Sequence, residues 1–200
     1  MDVFKHVPLY RFLAVCKDQS PGGRVLDCGA GGDQPPLSLF ASHGFETKGI
    51  EFNEKAANKA NQYGKDRNQV LNIVQGDMRT LDFPDASFDC VYSYNSVFHM
   101  MKVDVAKSVE ELKRVLKPGG VLFVNFLSVD DFRCGQGPHL GDHQYEQMDD
   151  EPVIHSYYGH QEADTYFSQM EVLYKEVRVL ERIYEGDRIR QGFVDYIVRK

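Results

Sequence analysis

The residues of this chain best placed to do chemistry are acids that close apolar runs. Asp27 ends "RVLD", Glu51 ends "TKGIE", and Asp77 follows "NIVQG". Directly after the first acid comes "CGAGGD", with Gly29, Gly31 and Gly32 clustered behind it. A glycine cluster after a strand lets the backbone turn sharply and approach a ligand closely. Glu51 follows Gly31 at a spacing of 20 residues, which suits a carboxylate gripping ribose hydroxyls. An adenosine-containing ligand is therefore expected. A dinucleotide fits poorly. The fingerprint GxGxxG reads G-A-G-G-D-Q from Gly29, so Gln34 replaces the glycine that lets a helix N-terminus face a pyrophosphate, and Asp33 would repel phosphate. The bland reading of such a turn is a plain bend with no ligand.

These groups need strands that end on one edge, and the sequence supplies them. "RVLDC", "ETKGIEF", "VLNIVQ", "FDCVYSYN" and "VLFVNFLS" read as strands. They alternate with helical stretches: Val3 to Cys16, interrupted by Pro8; Pro35 to His43, capped by Gly44; "NEKAANKANQYG", opening on Asn53; and "VAKSVEELKRVL", broken by "KPGG". Near-continuous apolar strands alternating with helices mean a parallel sheet covered on both faces, an α/β architecture. After Ser128 the rhythm changes. The segment from Asp130 to Gly159 holds a possible hairpin, "HQYEQM" and "VIHSYY" around "DDEP". A short helix follows near Gln161 to Met170. Then "VLYKEVRVLERIY" and "RIRQGFVDYIVRK" read as long strands, antiparallel because only "EGD" joins them.

Composition bounds the rest. The 200 residues suit one domain spanning the whole chain, and the net charge of -7 argues against nucleic acid as the main partner. No apolar run approaches a membrane span, and the start "MDVFKHVPLY" lacks a signal-peptide pattern. The cysteines Cys16, Cys28, Cys90 and Cys134 form no CxxC pair and read as reduced thiols of a cytoplasmic protein.

Three successive strand-end acids disfavour phosphate and favour a cationic adenosine ligand. S-adenosylmethionine fits, with its ammonium, sulfonium and ribose hydroxyls and no phosphate. At this point the segments "VLDCGAGG", "GIEFNEKA", "VQGDMRTLDFPDASFDCVYSYNSVFHM" and "ELKRVLKPGGVLFVNF" resemble the class I S-adenosylmethionine-dependent methyltransferases, in particular small stand-alone members, over about half the chain. The resemblance implies a Rossmann-like seven-stranded sheet in the order 3-2-1-4-5-7-6, with strand 7 antiparallel. It implies that Asp27, Gly29, Ala30 and Gly31 cradle the methionine end and that Glu51 holds the ribose. Phe52 would lie against adenine. Asp77 and the Met78 backbone N–H would read the adenine edge, and Ser93, Tyr94 and Asn95 would border the methyl donor. Asp33 departs from the family, which often has a third glycine there. Phe98 departs too, where many members carry an acid.

Methyl transfer from a sulfonium needs orientation and exclusion of water, and a base only where the acceptor must lose a proton. Candidates for that base are His99, Tyr94, Tyr157 and Tyr158, with His155 and His160 behind them; each has a structural alternative. Tyr157 and Tyr158 alternate faces on a strand, so at most one faces a pocket. His139 and His143 have helical metal-ligand spacing, but Pro138 and Gly141 break any helix there, and no metal is expected. The expected function is methyl transfer to a small-molecule acceptor. The alternatives are an NAD-type oxidoreductase and an S-adenosylmethionine-binding protein without catalysis. The segment from Asp130 to Gly159 leaves strand 5 at the ligand edge, is long and is rich in aromatics, so a lid or hairpin insertion over the acceptor is expected there.

Overall fold

The computed structural model describes residues 7–20, 23–149 and 151–200. The chain runs α1 (Pro8–Gln19), β1 (Arg24–Cys28), α2 (Leu37–Ser42), β2 (Glu46–Glu51), α3 (Glu54–Lys65), β3 (Ile73–Gln75), β4 (Phe88–Ser93), α4 (Lys102–Val115) and β5 (Leu116–Ser128). Then come β6 (His139–Gly141), β7 (Gln144–Met148), β8 (Pro152–Tyr158), a 3-10 turn at Glu162–Phe167, and the long strands β9 (Glu171–Tyr184) and β10 (Asp187–Arg199).

The main sheet is ordered β3-β2-β1-β4-β5-β10-β9. Strands β1 to β5 pair parallel, β10 lies antiparallel to β5, and β9 lies antiparallel to β10. With β9 and β10 counted as sixth and seventh, this is the expected 3-2-1-4-5-7-6 order. Side chains of β5 alternate between two apolar layers, as the strand period of two requires. Val121 and Phe123 join Phe12 and Leu13 of α1 and Phe40 of α2, while Leu122, Val124 and Phe126 join Val105, Val109 and Leu112 of α4.

Several boundaries differ from the sequence reading. Pro8 begins α1 rather than interrupting a helix, because its missing N–H has no partner to lose at the first position; Val3 and Phe4 lie outside the described residues. The expected strand "VLNIVQ" pairs only from Ile73, since Asn72 has a left-handed φ of 57°. The helix placed from Pro35 starts at Leu37, and the helix near Gln161 is a 3-10 turn. α3 starts where expected: the Asn53 side chain accepts from the N–H groups of Lys55 and Ala56 at 2.9 and 3.1 Å.

The strands β7 and β8 form the expected hairpin, joined by the short β6. Its position follows from β5. At Leu127 one edge of β5 pairs with Phe193 of β10, and Leu127 and Ser128 also pair, in parallel, with Tyr157 and Tyr158 of β8. β4 stops pairing with β5 at Ser93 and Val124. So β8 continues the row of β4, and the hairpin stands over the carboxyl end of the sheet.

Candidate active site

The glycine turn after β1 is fastened to β2. The N–H groups of Gly29 and Ala30 both donate to the Ile50 carbonyl, at 2.8 and 3.1 Å. Gly29 has φ 98°, and a Cβ there would overlap the Ser96 hydroxyl. The Gly31 N–H donates to Glu51 Oε2 at 2.9 Å, and a Cβ on Gly31 would come within 2.6 Å of that same oxygen. The other oxygen of Glu51 accepts from the Asn53 N–H at 2.9 Å. One carboxylate thus ties the glycine turn to the start of α3. Asp33 points away from this cradle and pairs with Lys59 of α3.

Asp27 lies beneath the turn and is buried, with Oδ2 lacking a hydrogen-bond partner. Burial pushes its carboxyl up to about 7; the nearby Tyr92 hydroxyl opposes that rise and Glu51 adds to it. An orphaned buried carboxylate oxygen calls for a cation or donor.

A cavity of about 350 Å³ opens beside the turn, with Glu51, Phe52, Asp77, Met78, Ser96 and His99 on its walls. Phe52 presents an exposed ring there. The Asp77 carboxylate is already engaged by Arg79, whose Nη2 donates at 2.6 Å and which holds Asp77 below the usual carboxylate range. Carboxylate oxygens accept several bonds, so this leaves Asp77 with acceptor capacity.

A second cavity, of about 220 Å³, lies under the hairpin. Asn95, Phe98 and His99 come from the loop after β4, Asp131 and Arg133 from the loop after β5, and Asp149, His155 and Tyr157 from the hairpin. His99 borders both cavities. Burial lowers its pKa to about 4, with neighbouring His155 acting the same way and Asp149 opposing. The ring stands edge-on to His155, centroids 4.6 Å apart, with one edge left exposed. His155 and Tyr157 share one face of β8, and the Tyr157 hydroxyl donates to Gln147 Oε1 at 2.7 Å.

The expected site residues fall into groups. Glu51, Phe52, Asp77, Met78 and His99 line the first cavity; Asn95, His99 and Tyr157 line the second. Asp27, Ala30 and Ser93 are buried around the strand ends, Ser93 with its hydroxyl unpartnered. Two of the base candidates lie elsewhere. Tyr158 points to the opposite face of β8 from Tyr157 and packs against Phe126 and Tyr166 in the core; Tyr94 packs against Phe123 on the α1 side of the sheet. Strand alternation is the cause for Tyr158, while Tyr94 directly follows the last residue of β4. The histidines considered for metal are dispersed: His139 lies against Tyr145, His143 sits in a turn at φ 53°, and His160 bonds Asp130. A different set converges, His99 with Asp149 and His155, whose ligand atoms lie within 4.8 Å of one another. Sequence spacing did not single out Ser96, Asn125, Arg133 or Asp149, which reach the site from separate loops and strands. The period of two in "VIHSYY" does pair His155 with Tyr157.

Residues 26–124 match the family model described as "Methyltransferase domain". They span β1 to β5 and so carry the glycine turn and Glu51. The chain belongs to the class I S-adenosylmethionine-dependent methyltransferases. Among curated relatives, this methyltransferase-family chain is 36% identical over 106 residues to the sterol 24-C-methyltransferase ERG6B of Gibberella zeae, covering 52% of this chain and 27% of that protein. It is 34% identical over 103 residues to the 27-O-demethylrifamycin SV methyltransferase of Amycolatopsis mediterranei, covering 50% of this chain and 37% of that protein. The alignments thus span about a third of those relatives' length. Among solved structures, a SAM-dependent methyltransferase of Methanosarcina mazei matches with TM-score 0.75 and 22% identity, over 93% of this chain and 96% of that one. TehB of Haemophilus influenzae matches with TM-score 0.71 and 19% identity, over 95% and 61%. These structural matches carry the fold. The hairpin and β10 lie beyond the family match, and with them most of the second cavity's wall.

Proposed function

We propose that this chain transfers a methyl group from S-adenosylmethionine to a small polar acceptor seated under the hairpin. The observation that carries this reading is the position of His99, which forms a wall of both the cavity beside the glycine turn and the cavity under the hairpin. A methyl donor in the first and an acceptor in the second would meet at that wall.

The cradle fits the donor in its chemistry. Asp27 has an unpartnered buried oxygen suited to an ammonium, and Gly29 and Gly31 let the turn pack against Ser96 and Glu51, where a side chain would overlap. Glu51 and the exposed ring of Phe52 suit a ribose and a flat base, and Asp77 and Met78 continue that wall. When bound, S-adenosylmethionine supplies an electrophilic methyl carbon: an acceptor lone pair forms the new bond while the carbon–sulfur electron pair leaves on a neutral thioether. The chain's own part is to bind, orient and exclude water. His99 and His155, both held below their usual pKa chiefly by burial, stay neutral at neutral pH and present imidazoles to a polar acceptor. The hairpin, fixed through Ser156 N–H to the Phe98 carbonyl at 3.0 Å, covers the acceptor side as a lid. Asp131, Arg133, Asp149 and Gln191 in that cavity favour a polar acceptor over a wholly apolar one. The sterol of the curated relatives is therefore not carried over.

Titration calorimetry with S-adenosylmethionine, S-adenosylhomocysteine and NADH tests the donor. Binding of the first two and not the third is expected; tight NADH binding would restore the oxidoreductase alternative. Turnover against a library of small hydroxyl, thiol and amine compounds tests the acceptor. Donor binding with no turnover on any of them would favour a binding protein.

A further inference from the structure

The cavity under the hairpin carries a second chemistry that methyl transfer does not itself require. His99 comes from the loop after β4 and Asp149 and His155 from the hairpin, yet their ligand atoms lie within 4.8 Å of one another. His155 Nε2 stands 3.6 Å from Asp149 Oδ2, beyond hydrogen-bond distance. Donors bound to one ion at about 2.0–2.1 Å and the tetrahedral angle would lie about 3.3 Å apart, so small side-chain rotations would close the set. His155 is buried and its Nδ1 has no hydrogen-bond partner. The nitrogen facing Asp149 is Nε2, which makes no hydrogen bond to that carboxylate and so keeps its lone pair for an ion.

The surroundings agree. Arg133 Nη1 donates to Asp149 Oδ1 at 2.8 Å, which fixes the carboxylate and leaves Oδ2 toward His155. Ligands held by an outer partner in this way are characteristic of metal sites. Asp131 also faces the cavity, so two carboxylates stand against the single guanidinium of Arg133.

We propose that His99, Asp149 and His155 bind one divalent first-row transition-metal ion, which takes an oxygen or sulfur of the methyl acceptor as a further ligand. Two imidazoles and one carboxylate suit zinc, iron, cobalt or manganese better than magnesium or calcium, which prefer all-oxygen shells. Three protein ligands leave positions open for the acceptor. The ion would favour loss of the acceptor's proton to solvent or buffer, leaving the lone pair that attacks the methyl carbon. The metal site stands on the geometry alone; the acceptor's role rests on the function proposed above.

Cobalt(II) is the probe. Protein freed of metal with a chelator is titrated with Co2+ by calorimetry and by visible absorption, and S-adenosylhomocysteine affinity is measured alongside. One Co2+ per chain with a d–d band is expected. His99→Gln and Asp149→Asn should each weaken Co2+ binding by about 10-fold or more. Asp149 is exposed and lies outside the donor cavity, so Asp149→Asn should keep S-adenosylhomocysteine affinity within a few-fold, which also shows that this variant folds. The double variant His139→Gln, His143→Gln should bind Co2+ as the parent does. Absence of Co2+ binding by protein that binds S-adenosylhomocysteine would overturn the metal site and leave the methyl-donor reading standing. So would Co2+ binding that survives both ligand substitutions. Stoichiometric Co2+ binding by protein that fails to bind S-adenosylhomocysteine would support the metal site and defeat the methyl-donor reading instead.

Discussion

Asn95 and Asn125 hold each other across the ends of β4 and β5. The Asn95 N–H donates to Asn125 Oδ1 at 2.7 Å, and Asn125 Nδ2 donates back to Asn95 Oδ1 at 2.6 Å. Asn95 has a left-handed φ of 54°, a conformation that asparagine tolerates better than most residues. The pair therefore fixes the sharp exit of the chain from β4, and with it the path to Ser96, beside the glycine turn, and to His99, between the cavities.

Asn125→Leu should cost about 1–2 kcal/mol of stability, because the Asn95 N–H loses its acceptor in a partly solvated setting. Because the same loop carries Ser96 and His99, S-adenosylhomocysteine affinity should fall as well. Asn125→Asp keeps the acceptor and should retain more of both. Urea denaturation and calorimetry measure the two effects; an unchanged affinity in Asn125→Leu would separate the pair from the site.

Asp27 makes a prediction about pH. Its carboxyl is raised to about 7 in the folded chain from an ordinary 3.8, so between those values the folded state holds a proton that the unfolded state has released. The contribution of Asp27 to stability is present at low pH and lost as pH rises toward 7. Asp27→Asn should flatten that part of the profile, measured by denaturation across the interval from 3.8 to about 7. The same variant should weaken S-adenosylhomocysteine by about 10-fold or more, by loss of a charge-assisted contact. In the parent, that affinity should climb as pH rises through about 7.

Glu51→Ala removes the acceptor of the Gly31 and Asn53 N–H groups together with the carboxylate proposed for the ribose. Cofactor affinity should drop by about 1.5–3 kcal/mol per charge-assisted bond lost. Glu51→Gln should keep part of the turn's anchoring but less of the affinity. Calorimetry giving parental affinity in Glu51→Ala would remove this residue from the site.

Asp33→Gly should leave S-adenosylhomocysteine affinity within a few-fold. Asp33 is exposed and its pair with Lys59 is a surface ion pair, worth at most about 1 kcal/mol. NADH binding should not appear while Gln34 remains, and its appearance would mean that charge alone kept dinucleotides out.

Amide exchange across β7 and β8 should slow when S-adenosylhomocysteine and an acceptor bind together, and change less with either alone. The hairpin is anchored to the rest of the site through a few bonds, among them Gln144 Oε1 accepting from the Lys102 N–H at 2.6 Å and Ser156 Oγ donating to the Met100 carbonyl at 2.6 Å. Exchange that is already slow in the free protein and indifferent to both ligands would defeat the lid.

The sequence by itself determined the sheet and the glycine turn at its carboxyl end. Asp27, the glycine turn and Glu51 lie close together along the chain, and local rules act over such distances: a strand needs its apolar run, a turn needs glycine, and α3 needs Asn53 at its start. The antiparallel pair at the end was legible for the same reason, since Glu185, Gly186 and Asp187 leave no room for a crossover. Where local signals competed, the reading slipped by a few residues, as at Pro8 and Asn72. The cavity under the hairpin was decided by tertiary structure. Whether Tyr157 or Tyr158 faced the cavity depended on the register of β8 against β5, which no spacing within "VIHSYY" reveals. His99 is far in sequence from Asp149 and His155, and only the placement of the hairpin over the end of β4 brings it to them. Convergence of this kind is set by strand pairing and packing between distant segments, and a list of residues carries no record of those distances.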